Sequence, residues 1–200
     1  MSKIAVIIGS TRPGRFSEKP ARWILEELKK RKGVTAELLD LRDYPMPFFD
    51  QAASPSWLPE GFGDDVVRAW TRKIDEADGF VIIAPEYNRG YTAVLKNAID
   101  FVYKEWNNKA VGFVSYGGVG GARAVEQLRL VSIELQLAPV RQAVHLPLDV
   151  YLALRNEETA TAAQFAPAQS QADTMLDQLL IWTEALKSAR AKLAVEKKAA

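Results

Sequence analysis

The sequence predicts an α/β protein: a five-stranded parallel sheet in the doubly wound order 2-1-3-4-5, helices on both faces, and a long helix added at the C-terminal end. Three observations predict it. Short apolar runs rich in β-branched residues, such as Ile4-Ala5-Val6-Ile7-Ile8 and the stretch Gly79 to Ala84, have the continuous character of strands buried on both sides. Between the runs lie segments whose apolar residues recur at helical spacing, and parallel neighbours need such crossovers. Polar, glycine-containing loops follow the first, third and fourth runs, so chemistry gathers at one edge of the sheet.

The elements follow in order. The first strand stops at Gly9, and Ser17, followed by Glu18, Pro20, Ile24, Leu25 and Leu28, is placed to cap a helix whose first turn tolerates proline. That helix ends near Lys30 to Gly33, and Val34 to Leu41 reads as the second strand. Arg42 to Gly63, with four prolines among Tyr44, Phe48, Phe49, Trp57 and Phe62, is a long aromatic loop; its rings either cap the core or sit at a subunit contact or over a ligand. Asp64-Asp65 opens a helix carrying Val66, Val67, Trp70 and Ile74. The third strand, Gly79 to Ala84, stops at Pro85 and leads through PEYNRGYT into a helix over Ala93 to Tyr103. Lys109 to Tyr116 forms the fourth strand and runs into Gly117-Gly118-Val119-Gly120-Gly121, then a helix Ala122 to Leu137 and a fifth strand Val140 to Val144. Leu146 to Pro167 reads as irregular or partly extended, and Ser170 to Lys197 as the final helix.

With 200 residues, no internal repeat and no boundary-like linker, the chain reads as a single domain over 1–200, its core spanning 3–145 and its C-terminal extension carrying a helix over about 170–197. The 26 basic residues nearly balance the 25 acidic ones, so no global field points to nucleic acid. Zero cysteines exclude disulfides, thiolate metal sites and cysteine nucleophiles. The N-terminal apolar run is too short for a secretory signal and no run reaches membrane-spanning length. The expectation is a cytoplasmic protein with neither membrane nor nucleic-acid partner and no metal.

Chemistry enters at Gly9 to Ser17. A loop between a strand's carboxyl end and a helix's amino end offers unpaired N–H groups and a helix dipole, which favour a phosphate. Ser10, Thr11 and Ser17 add hydroxyls, and Arg12 or Arg15 can add a charge-assisted fork. The alternative is an ordinary strand-to-helix turn with incidental polar residues. A P-loop is excluded because Arg15-Phe16 stands where Lys-Ser/Thr is required, and the dinucleotide fingerprint because Gly9 and Gly14 lack the glycine between them. In the order 2-1-3-4-5 the first and third strands are neighbours, and ligands bind in the crevice between their carboxyl ends.

Taken together, GSTRPGRFS, PEYNRGYTAVLKNAIDF and SYGGVGGARA resemble the NADPH-dependent FMN reductase family of flavodoxin-like proteins, which includes flavin, quinone, azo-dye and chromate reductases. The resemblance runs from Lys3 to Val144 in the correct order. It implies that Ser10, Arg12 and Ser17, with amides from Thr11 through Arg15 to Phe16, hold the FMN phosphate; that Pro85, Glu86, Tyr87, Asn88 and Gly90 pass along the ring, Tyr87 packing near it; and that Ser115, Gly117 and Gly118 form the third flavin loop. It implies NADPH or NADH as co-substrate, a small oxidant as acceptor, and a homodimer or homotetramer. No catalytic side chain is required, because hydride passes at flavin N5. Arg89 departs from the pattern and either binds a substrate anion or is solvated; Arg15 or Arg89 can take the extra phosphate of NADPH. His145 reads as structural, and Trp57 and Trp106 are the tryptophans least clearly assigned to the core. A flavodoxin-type electron carrier and a non-catalytic flavin-binding module are the alternative functions, although carriers of that type tend to be strongly acidic and this chain is not.

Overall fold

The computed structural model describes residues 1–59 and 61–199, residues 197–199 as backbone only. The chain folds as β1 (Ser2–Ile8), α1 (Glu18–Lys29), β2 (Val34–Asp40), α2 (Asp65–Glu76), β3 (Gly79–Pro85), α3 (Ala93–Asp100), β4 (Lys109–Tyr116), α4 (Ala122–Glu134), β5 (Leu137–Pro139), β6 (Val144–His145), α5 (Leu148–Leu154) and α6 (Gln169–Ala199). The strands form one parallel sheet in the order β2-β1-β3-β4-β5, with β6 also on β4. This is the predicted winding.

Alternation along β1 explains why both faces need a cover. Successive side chains point to opposite sides, so Ile4, Val6 and Ile8 join Trp23, Ile24 and Leu28 of α1 and Met175 and Leu179 of α6. Ala5 and Ile7 join Trp70 and Ile74 of α2, Leu95 and Ile99 of α3 and Leu128 of α4. Asp64 caps α2 by accepting from the Val67 N–H at 2.9 Å. The long C-terminal helix is pinned to the sheet's amino edge at Asp78, whose carboxylate receives Lys187 at 2.7 Å and Arg190 at 2.8 Å.

Four expectations are corrected. The fifth strand is not Val140 to Val144 but two short pieces, β5 and β6: the Val140 N–H still donates to the Val111 carbonyl at 3.0 Å, and the chain then leaves the sheet and returns at Val144. Outside it, the Gln142 N–H goes to Gln178 at 3.0 Å and the Arg129 guanidinium takes the carbonyls of Val140 and Arg141. The helix begun at Ala93 ends at Asp100, three residues early, and the chain turns so that Trp106, 1% exposed, enters the core. The helix begun at Ala122 ends at Glu134, since Gln136 takes a positive φ of 53°. The segment Leu146 to Pro167 is ordered: it holds α5 and a 3₁₀ stretch Ala162–Ala168, anchored by Phe165 stacked on Trp23 with centroids 4.7 Å apart.

The aromatic loop divides its rings. Tyr44, Phe49 and Phe62 pack onto the core, while Phe48 and Trp57 are 79% and 81% exposed. Asn97 of α3 holds the loop at two points, accepting from the Phe49 N–H at 2.9 Å and donating to the Pro47 carbonyl at 2.7 Å.

Candidate functional site

Three loops converge at the carboxyl edge: Gly9 to Ser17 after β1, Glu86 to Thr92 after β3, and Gly117 to Gly121 after β4. Gly9 lies so close to the central strand that a Cβ there would sit 2.6 Å from the Ile83 carbonyl oxygen, and its N–H donates to that oxygen at 3.0 Å. Thr92 ties two loops together, donating from Oγ1 to the Gly9 carbonyl at 2.6 Å while accepting from the Leu95 N–H as the cap of α3.

In the first loop three successive carbonyls are bound by guanidinium groups. The Arg15 guanidinium hydrogen-bonds the Ser10 carbonyl, and Arg42 donates to the carbonyls of Thr11 at 3.2 Å and Arg12 at 2.6 Å. Among the described residues, the N–H groups of Thr11, Gly14, Phe16 and Ser17 find no backbone acceptor. Four N–H groups left without a backbone acceptor in one loop ahead of α1 are the kind of donor an anion needs. Ser10 is buried with its Oγ 3.2 Å from the Tyr87 hydroxyl, and the exposed Arg12 guanidinium lies over the Tyr87 ring at 5.4 Å.

Two side chains of this loop do other work than expected. Arg15 is turned inward: its guanidinium pairs with Asp40, 2.7 Å from Oδ1, and with Glu18 at 2.9 Å, so it is no free fork for a phosphate of FMN or NADPH. Burial alone would raise the Asp40 carboxyl, but the Arg15 guanidinium and the Arg42 N–H outweigh it and hold that carboxyl below its ordinary range. Ser17 stands at the N-cap position with helical backbone, and its hydroxyl makes no cap; it lies 2.6 Å from the Tyr116 hydroxyl instead. Phe16 is buried, its ring edge-on to Tyr116 and to Tyr151.

The second loop folds as a two-residue reversal. Tyr87 and Gly90 exchange backbone hydrogen bonds of 2.8 and 3.0 Å, and the central residues Asn88 and Arg89 both take positive φ, 49° and 69°, as a tight hairpin turn demands. Pro85, buried, closes β3 before it. Glu86 is 6% exposed at its side chain and bonds the Arg123 guanidinium at 2.8 Å and the Arg123 N–H at 3.2 Å, which locks the second loop to the start of α4. Gln127 donates to the Arg89 carbonyl from the same helix.

The third loop needs its glycines for space. A Cβ on Gly117 would come within 3.0 Å of Glu86, and Gly117, Gly120 and Gly121 have φ of 153°, 67° and 78°. Nothing lies within 4 Å of a Cβ built on Gly118, so its backbone borders open space. Ser115 is turned away from that space: its hydroxyl donates to the Gly120 carbonyl at 2.7 Å and lies 2.9 Å from His145 Nδ1. Burial lowers the His145 pKa, and the neutral ring braces the loop from below.

Between the loops is a cleft of about 340 Å³ walled by Arg12, Phe16, Glu86, Tyr87, Tyr116 and Gly117, within the size range of small-molecule sites. Sequence reasoning overlooked Tyr116, and it overlooked Tyr151, Arg155 and Asn156, which α5 and its end bring to the same cleft. Their only signal was the spacing of Val150 and Leu154, too short a run to establish a helix unaided. Burial pushes the Tyr116 phenol well above the ordinary tyrosine range, so it stays a neutral O–H group beside Ser17. Among the described residues no group of three or more His, Asp or Glu side chains could hold a metal ion.

Comparison with known proteins agrees with this geometry. The sequence model of the NADPH-dependent FMN reductase family matches residues 2–149. An NAD(P)H-dependent FMN reductase of Schizosaccharomyces pombe is 40% identical over 149 residues, 74% of each chain. An NAD(P)H:quinone oxidoreductase of Solanum tuberosum is 34% identical over 68% of this chain and 69% of that one. In fold, the chain matches a flavoenzyme NAD(P)H:(acceptor) oxidoreductase from Paracoccus denitrificans with TM-score 0.65 at 22% identity, covering 90% of this chain and 97% of that one. On the three loops, their order along the sheet and the matched span, the chain belongs to the NADPH-dependent FMN reductase family.

Proposed function

We propose that the chain holds FMN in the cleft at the carboxyl edge and passes reducing equivalents from NADPH or NADH to a quinone or another small oxidant such as free flavin, an azo compound or chromate. One observation carries this reading: the loop after β1 has three successive carbonyls bound by Arg15 and Arg42 and N–H groups left over, which suits a phosphate monoester. Bound flavin supplies hydride acceptance and release at its ring. The chain's residues supply place and environment. Thr11, Gly14, Phe16 and Ser17 hold the phosphate by backbone N–H groups, and Arg12 adds charge from outside. Tyr87, held by its turn and by Glu86 bonded to Arg123, flanks the ring. Gly117 and Gly118 let the backbone come close to it, and the rings of Tyr116 and Tyr151, with centroids 5.4 Å apart, limit water at the inner end.

Titration of the purified protein with FMN and riboflavin tests the cradle. Several amide bonds to a dianion, each contributing roughly 1.5–3 kcal/mol, give FMN at least a hundredfold advantage. Equal affinities would show that the loop reads no phosphate, and a colourless protein that takes up neither flavin would refute the whole reading. Anaerobic addition of NADPH or NADH then bleaches the yellow protein, and a quinone restores the colour; a yellow protein untouched by either nucleotide would be a carrier or a non-catalytic binder.

The reading includes assembly as a homodimer or homotetramer. It is supported by Leu130 and Ile133 of α4, 71% and 68% exposed, and by Phe48 and Trp57 on the aromatic loop, apolar groups that this chain leaves in water. Light scattering is expected to give at least twice the mass of one chain at micromolar concentration, and a single-chain mass would remove the assembly from the proposal.

A further inference from the structure

We propose that a second, basic cleft behind the phosphate loop takes the adenosine 2′-phosphate half of NADPH. The inference rests on the reading above that a nicotinamide nucleotide is the donor. The cleft, about 560 Å³, shares Gly14, Arg155 and Asn156 with the flavin cleft, so the two are continuous across the rim of the loop. Gly14 is the gap between them: it has φ of 63°, and nothing lies within 4 Å of a Cβ built there.

Charge distinguishes this cleft. Lys19 and Arg22 come from one face of α1, three residues apart, and Arg155 from the end of α5. Among the described residues, none of these three cationic groups has a carboxylate within 4 Å or a hydrogen bond to another protein group. Arg15 and Arg42 line the same cleft but are occupied with Asp40, Glu18 and loop carbonyls, and Glu18 is neutralised by both. Glu157 and Glu158 line the wall after α5 and would repel a phosphate, which leaves the α1 wall, at Lys19 and Arg22, as its place. A guanidinium forks onto a phosphate dianion through two parallel bonds, a geometry that a ribose hydroxyl cannot return.

The direction of the dinucleotide follows from the chemistry. A nicotinamide that gives hydride must lie in the flavin cleft, and because the two clefts share Gly14, Arg155 and Asn156, the remainder has a continuous path into the basic cleft. Arg89, the other cation considered for the extra phosphate, sits in the turn closed by Tyr87 and Gly90 and lines neither cleft.

The test is calorimetric titration of the protein in saturating FMN with adenosine 2′,5′-bisphosphate, adenosine 5′-monophosphate and inorganic phosphate. The bisphosphate is expected to bind at least tenfold tighter than the monophosphate and than inorganic phosphate. Arg22→Ala should remove that preference, and Arg22→Lys should restore part of it. The flavin absorbance of both variants should match the parent, because Arg22 is exposed and lies outside the FMN loop. In turnover, the KM for NADPH should rise at least tenfold in Arg22→Ala while the KM for NADH stays. Equal affinity for the two adenosine phosphates, or a preference that survives both Arg22→Ala and Lys19→Ala, would overturn the proposal, and inorganic phosphate binding as tightly as the bisphosphate would overturn its adenosine part. A protein that selects the bisphosphate yet takes up no FMN would refute the flavin reading alone; a yellow protein without selection would refute only this one.

Discussion

Replacing Arg15 by alanine is expected to destabilise the protein by about 3 kcal/mol, the low end of the cost of breaking a buried ion pair, because Asp40 and Glu18 keep some solvent and a bond from Arg42. For a chain of this length that lowers the melting temperature by on the order of 10 °C. The guanidinium is 1% exposed and bridges three parts of the chain: the Ser10 carbonyl in the loop, Asp40 at the end of β2, and Glu18 in the first turn of α1. Its loss leaves the Asp40 carboxylate partly buried with only the Arg42 N–H nearby and frees the loop on which the amides depend. FMN affinity should fall with stability. Arg15→Lys should recover only part of either, since one ammonium cannot reach all three partners in the plane of a guanidinium.

The pH dependence has a definite sign. The Asp40 carboxyl is held below its ordinary value in the folded chain, so its pairing stabilises the fold fully above the unfolded value of 3.8 and is lost as pH falls through the lower folded value. The gap between parent and Arg15→Ala should therefore be widest near neutrality and narrow below about pH 4. Urea denaturation at pH 7 and pH 3.5 measures it. If Arg15→Ala melts within 1 kcal/mol of the parent while FMN binding collapses, the guanidinium belongs to the phosphate site and not to the brace.

The second large effect is expected at Gly121, where alanine meets two obstacles at once. Its φ of 78° is left-handed, which costs a residue with a Cβ about 1–2 kcal/mol. The Cβ would also stand 2.6 Å from the Ser115 Cβ and 2.7 Å from the Tyr116 N, neither at the end of a flexible side chain, and such overpacking adds about 1–3 kcal/mol. Gly121→Ala should lose roughly 2–5 kcal/mol in all. Gly118→Ala is the informative contrast. Its Cβ meets nothing, so thermal melting of the flavin-free protein should match the parent, yet FMN should bind at least tenfold more weakly if the ring lies against this loop. Unchanged FMN affinity in Gly118→Ala would move the ring away from the third loop.

The order of elements and the edge that carries the loops were legible in the chain because both follow from local facts. Uninterrupted apolar runs rich in β-branched residues, such as Ile4 to Ile8, must be covered on two faces, helical spacing supplies the covers, and right-handed crossovers leave few windings. The glycines and hydroxyls of the three loops sit at strand ends, which topology alone brings together. The same local reading does not reach partners distant in sequence. Arg15 looks like a phosphate ligand from its neighbours, but Asp40, 25 residues on, is the nearer and fixed anion. Ser17 and Ser115 are claimed by Tyr116 and Gly120, and β4 accepts two short pieces where the apolar pattern promised one strand. Residues 148–154 hold too few turns to form a helix unaided; they fold because Val150 and Leu154 find a prebuilt core, and that packing carries Tyr151 and Arg155 to the site. Pattern sets which residues must be buried, whereas the geometry of the assembled sheet sets which polar groups meet, because hydrogen bonds and ion pairs are decided over a few ångströms and not by distance along the chain.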